Sequence, residues 1–146
     1  NNKKFEQILH LSANTLPQVG TLDLLARADF EKIRDKRRFN YCYLLQLIKN
    51  YSGIDILYPD LPNGIAPHNL AILVKGDRRE TVYFRLIEKG VPVISLYYRM
   101  IDQIRNHGYA DSLFVSENIL NLPVHQDIQA DDLDVIAKSL KESLIK

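Results

Sequence analysis

The stretch NLAILVKGDRRETVYFRLIEKGVPVIS, residues 69–95, most constrains what this chain can fold into. It opens with an apolar run of the length of a buried strand, then places Val82, Leu86 and Ile87 at helical spacing. Asp77 stands where it can cap that helix, and Gly90 stands where it can stop it. A second apolar run, VPVISLYY, follows at once. Strand, helix and strand in this order require a helix laid over a sheet, by a right-handed crossover or a split arrangement.

The flanking segments extend this pattern. Residues 21–49 carry Leu22, Leu25, Ala26, Phe30, Ile33, Tyr41, Leu44, Leu45 and Ile48 at spacings of mostly three or four, which predicts one long helix. Its middle, EKIRDKRR, is so charged that it belongs in solvent or against a polar surface. A glycine stop at Gly53 precedes a short strand near 54–58 and a proline-rich loop over 59–67. Residues 99–117 offer a helical fragment at 99–106, a His-Gly turn and an apolar stretch of undecided type. The chain then ends on a strand cut by Pro123 and an amphipathic helix from about Ala130, with Leu133, Ile136, Ala137 and Leu140 on one side. The expected fold is α/β in the two-layer α+β sense. A small mixed sheet of about four strands is covered by helices and preceded by a long helix.

At 146 residues the chain has room for one domain with a core. A net charge of +1 gives no reason to expect nucleic acid as a partner. No apolar run approaches the ~20 residues of a membrane span, so no membrane partner is expected. The one cysteine, Cys42, cannot form an internal disulfide; its apolar helical context predicts a buried, inert thiol and a cytoplasmic protein. The chain does not begin with methionine and reads as a piece of a longer protein.

Metal, phosphate-loop and hydrolase signatures are missing. His10, His68, His107 and His125 are too scattered for a zinc site, and there is no GxGxxG, GxxxxGK[ST] or GxSxG. Asp131, Asp132 and Asp134 read as helix-start acids rather than a catalytic pair. Tyr97, Tyr98 and Arg99 follow a strand end, where ligands of open α/β layers sit; alternation of side chains about the strand, one ring inward and the other outward, is the reading favoured for the tyrosines. His125, just past Leu-Pro, can reach a ligand or hydrogen-bond the loop backbone.

Three ordered segments carry a resemblance. LARADFEKIRDKRRFNYCYLLQLI has an Arg-Arg-x-Asn step at Arg37, Arg38 and Asn40. The 69–98 stretch contains a Glu88-Lys89-Gly90-Val91-Pro92 turn, and ILNLPVHQDIQADDLDVIAKSL closes the chain. Together they resemble the C-terminal small domain of the DegT/DnrJ/StrS family of pyridoxal-phosphate-dependent sugar aminotransferases, in the fold-type I aminotransferase superfamily. Where that family commonly carries an arginine and then a His-Tyr pair, this chain has Ile94, Leu96 and Tyr97.

The resemblance implies that residues 1–20 are a remnant of a preceding large domain or a leader and that 21–146 are the small domain. It implies a full-length enzyme that moves an amino group from an amino acid to a keto sugar nucleotide in polysaccharide biosynthesis. Pyridoxal phosphate would be held by the large domain, with no cofactor and no activity in this chain alone. Tyr97, Arg99 and His125 would face the substrate. The implied partners are the chain's own large domain, a second subunit in a homodimer and a small-molecule sugar. A non-catalytic domain kept for protein association is the alternative, favoured by the apolar Ile94 and Leu96.

Overall fold

The computed structural model describes residues 19–96, 98–105 and 107–145, and divides the chain into two units at Phe30/Glu31. In the first unit, helix α1 (Val19–Arg27) carries an exposed one-turn ion pair, Arg27 to Asp23 at 3.0 Å. Helix α2 (Phe30–Ile48) begins only after an interruption at Ala28 and Asp29. The single helix predicted over 21–49 is therefore two. Most of the predicted leading segment, residues 1–18, lies outside the described residues.

The second unit is a two-layer α/β structure. Strands β1 (Ile54–Ile56), β2 (Asn69–Val74) and β3 (Ile119–Pro123) form a sheet in the order β1-β2-β3, with β2 at the centre. Both pairings are antiparallel: Ile54 opposes Val74, and Ile72 opposes Leu120. Around the sheet run helices α3 (Arg79–Glu88), α4 (Asp102–Arg105), α5 (Ala110–Asn118) and α6 (Ala130–Ser143).

Alternation along the strands explains the core. Leu70, Ile72 and Val74 of β2 share one face with their cross-strand partners' face on β3, Leu120 and Leu122, and all are buried. Tyr41, Leu44 and Ile48 of α2, Val82 and Leu86 of α3, and Leu133, Ile136 and Leu140 of α6 complete the cluster. Each fully buried leucine contributes about 2 kcal/mol of transfer free energy, so this seam is what holds helices to sheet.

Three expectations need correction. VPVISLYY does not form a full fourth strand: it contributes a single bridge, Ile94 to Asn121. Pro92 has no N–H to donate, and the Val93 N–H turns back to the Val91 carbonyl, so pairing cannot propagate from that end. Asp77 does not cap α3. It adopts a left-handed backbone (φ 52°), and the helix begins two residues later with Arg78 before it. Cys42 is exposed, because the buried face of α2 runs through Tyr41, Leu44 and Ile48 and leaves position 42 on the far side.

Gly90 ends α3 as expected, at φ 79°, where a side chain is strained. Pro123 is the last paired residue of β3, opposite Asn69. Among the described residues no helix is long and apolar enough to cross a membrane.

Candidate functional site

The antiparallel bridge between Ile94 and Asn121 fixes where the predicted site residues fall. Moving forward from Ile94 moves backward along β3, so Tyr98 and Arg99 lie toward the Glu117 end of that strand. His125 lies beyond its Pro123 end. The five residues of β3 between them, Ile119–Pro123, span about 17 Å at extended rise. The structure thus sets Arg99 and His125 at opposite ends of β3. Tyr97 lies outside the described residues.

At the Pro123 end, α2 reaches across to the loop after β3. Asn40, wholly buried, donates through Nδ2 to the carbonyls of His125 (2.6 Å) and Ile128 (3.2 Å). One turn back, Arg37 Nε donates to Gln126 Oε1 at 2.7 Å. Arg38 turns to the other loop, where its Nη1 donates to the carbonyls of Pro62 (2.7 Å) and Ile65 (2.8 Å). The Arg-Arg-x-Asn step is therefore a clamp on two loops. The His125 imidazole itself is half exposed, with Nδ1 3.4 Å from the Asp127 N–H and 3.2 Å from the Asp127 carboxylate.

A cavity of about 390 Å³ lies beside the Arg38-held loop, bounded by Tyr41, Tyr58, Leu61, Pro62 and Ile65. The Tyr41 hydroxyl donates to the Tyr58 carbonyl. Burial raises the Tyr41 pKa above the ordinary tyrosine value, so this phenol is a fixed neutral donor rather than an acid-base group.

The segment after Gly90 is held against β3 by the Ile94–Asn121 backbone bridge and by two side-chain hydrogen bonds. Asn121 Nδ2 donates to the Ile94 carbonyl at 3.1 Å, and Ser95 Oγ donates to the Ile119 carbonyl at 3.2 Å. The chain then passes an apolar cleft of about 310 Å³ between Leu96, Met100, Val115 and Ile119, with Asp111 and Ser112 on its border. Next to it, the half-exposed Tyr98 ring has the Arg99 guanidinium at 5.3 Å and the Arg79 guanidinium at 5.9 Å. Arg79, at the start of α3, is also tied to the Glu117 carbonyl at 3.1 Å. Sequence reasoning picked out Arg99 and missed Arg79, because the two meet only through the pairing of β3 with residue 94.

A pyridoxal phosphate needs a lysine, an acidic partner for its ring nitrogen and a cup for its phosphate. Four of the described lysines are engaged with other partners. Lys75 pairs with Asp55 and Lys89 with Glu142, both at 2.6 Å on the surface; Lys36 lies over the Phe39 ring and Lys49 bonds to Gln46. Among the described residues there is no cluster of His, Cys, Asp and Glu able to hold a metal ion.

No protein-family model and no curated protein matches the chain. Solved structures do resemble it. Spr1654 from Streptococcus pneumoniae, assigned as a sugar aminotransferase, matches in its PMP form with a TM-score of 0.66 and 18% identity, over 84% of this chain and 33% of that one. Its PLP form matches with a TM-score of 0.66 and 17% identity, over 86% and 35%. The E. coli GDP-4-keto-6-deoxy-D-mannose-3-dehydratase with bound hydrated PLP matches with a TM-score of 0.59 and 18% identity, over 75% and 31%. At this identity the likeness is one of fold, and the chain spans about a third of each of these proteins.

Proposed function

We propose that this chain is the C-terminal small domain of a pyridoxal-phosphate-dependent, sugar-modifying enzyme of the DegT/DnrJ/StrS kind. The observation that carries the proposal is the fold likeness to Spr1654, a protein assigned as a sugar aminotransferase, over most of this chain and only a third of that one. The three ordered sequence segments point the same way. In this reading residues 1–20 are the end of the large domain or a leader, and 21–146 are the small domain. The parent is a cytoplasmic homodimer that passes an amino group from an amino acid to a keto group on a nucleotide-linked sugar.

The lysine, the acid and the phosphate cup then belong to the large domain. The part left to this chain is to close one wall of the substrate site. Tyr97 and Arg99 supply the polar groups at one end of β3, and His125 supplies one at the other. The fold-type I reading assigns no reacting atom to any described residue, so this chain by itself has no activity.

The exposed Ile94 favours a second reading, a non-catalytic domain used for protein association. Its side chain is 49% exposed at a place where the resembled family carries a polar residue, and an apolar group suits an interface better than a sugar pocket. One experiment separates the two. The complete reading frame containing this segment is expressed and its absorbance followed between about 330 and 430 nm, before and after borohydride. A long-wavelength band that collapses on reduction is the expected result. No band, even with cofactor added, overturns the enzyme reading and leaves the association domain.

A further inference from the structure

We propose that the cavity beside the loop between β1 and β2 binds a small molecule with an apolar, ring-sized body and an ammonium group, a property independent of the enzyme reading. β1 and β2 are antiparallel neighbours, a pair that a loop of about two to five residues can join, yet residues 57–68 run between them. That extra length is pinned. Arg38 Nη1 donates to the Pro62 and Ile65 carbonyls and the Tyr41 hydroxyl to the Tyr58 carbonyl, while the Leu57 N–H continues the pairing to the Ala71 carbonyl. Pro59, Pro62 and Pro67 fix φ within the same stretch. A pocket built this way exists before its ligand arrives, which spares binding the cost of ordering the loop.

The lining sets the class of ligand. Tyr41, Tyr58, Leu61, Pro62, Ile65 and Pro67 supply ring and apolar surface. A volume of about 390 Å³ lies toward the small end of ligand pockets, so the body is compact. Asp60 is the one charged residue among the described ones that line the cavity, which favours a cation there and opposes an anion. The Arg38 guanidinium, which pins the loop, is not on the lining. An ammonium beside tyrosine rings gains further from their electron-rich faces. Tyr58, Asp60 and Ile65 are exposed, so the entrance faces solvent.

The site is tested by ligand-observed NMR titration of the complete protein, with benzyltrimethylammonium, benzyl alcohol and benzoate as probes. The quaternary ammonium has no N–H and cannot condense with an aldehyde cofactor, so its signal does not report imine formation. It is expected to bind in the millimolar range, the alcohol about threefold more weakly and benzoate more weakly still. Asp60→Asn and Tyr58→Ala are each expected to weaken the ammonium about threefold, the loss of one exposed charge pair or ring contact. Both side chains are exposed, and the Tyr58 carbonyl that Tyr41 holds is kept, so both variants fold. Glu88→Gln, on α3 and off the lining, serves as control and is expected to bind as the parent does. Equal binding of ammonium and alcohol, or an ammonium affinity that neither substitution changes, overturns the proposal. No binding of any probe overturns it as well; a mass that then grows with protein concentration and falls back in Ile65→Ser would assign this face to a second copy of the chain.

Discussion

Asn40 offers a test in which competing terms have different signs. Its amide donates to two loop carbonyls from a fully buried position, while its own Oδ1 has no partner among the described residues. Asn40→Ala removes two hydrogen bonds worth about 1 kcal/mol each. The His125 carbonyl keeps another partner, the Ile128 N–H at 3.1 Å, which limits the damage. Removal of the unpaired Oδ1 returns about 1 kcal/mol of desolvation. The net loss is then about 1 kcal/mol. Asn40→Asp is nearly isosteric and should cost more, because it aims a buried carboxylate at carbonyl oxygens; an uncompensated buried charge costs about 3–5 kcal/mol.

The two variants therefore separate with pH. Burial raises the introduced carboxyl above its unfolded value of about 3.9. Its penalty is full above the raised folded value, and disappears as pH falls toward the unfolded one, since the protonated acid can again donate. Urea unfolding at about pH 7 and about pH 4.5 reads this directly through the midpoint. The Asp variant should be the weaker of the two at neutral pH and should gain on the Ala variant at the lower one. Equal midpoints at neutral pH, or a gap that ignores pH, would refute the clamp.

Other expectations follow from single features. Leu120→Ala empties a fully buried position on β3 and should cost about 2–5 kcal/mol in chemical denaturation; a loss below about 1 kcal/mol would mean the seam collapses around the gap. Exposed Cys42 should react with a thiol reagent in the folded protein at close to the rate seen in denaturant, whereas slow labelling would show it covered. The Glu142 carboxyl is held below its ordinary value by its hydrogen bond to Lys89, so the stability it adds is present above the ordinary carboxylate range and lost as pH falls through the lowered folded value. A melting-temperature difference from Glu142→Gln should accordingly shrink in acid; a constant difference would speak against the link between α3 and α6.

How much of this was legible in the sequence depended on whether a feature is local. Periodicity placed β2, α3 and α6 because their buried residues recur at fixed spacing, as with Val82 and Leu86 or Leu133, Ile136 and Leu140. It failed at Ala28 and Asp29, where the spacing of apolar residues continues through a break in the backbone. It failed again at VPVIS, since an apolar run states a wish to be buried and not a partner to pair with. Cys42 was misjudged by its apolar neighbours rather than by its angle about the helix axis. The Arg79–Tyr98–Arg99 grouping was beyond reach, because it depends on a long-range bridge between Ile94 and Asn121.

The central place of β2 has a consequence for the order in which the unit can be built. Its β1 neighbour lies just upstream, but its other neighbour, β3, arrives only after α3, α4 and α5 have been made. During synthesis the most apolar strand of the molecule waits with one open edge, and closing it must await the emergence of Pro123. Such late, distant pairing slows folding and leaves the nascent chain open to edge-to-edge association. Interruption of synthesis between α3 and β3 would release chains that carry a template for aggregation, whereas chains extended through β3 would have hidden it.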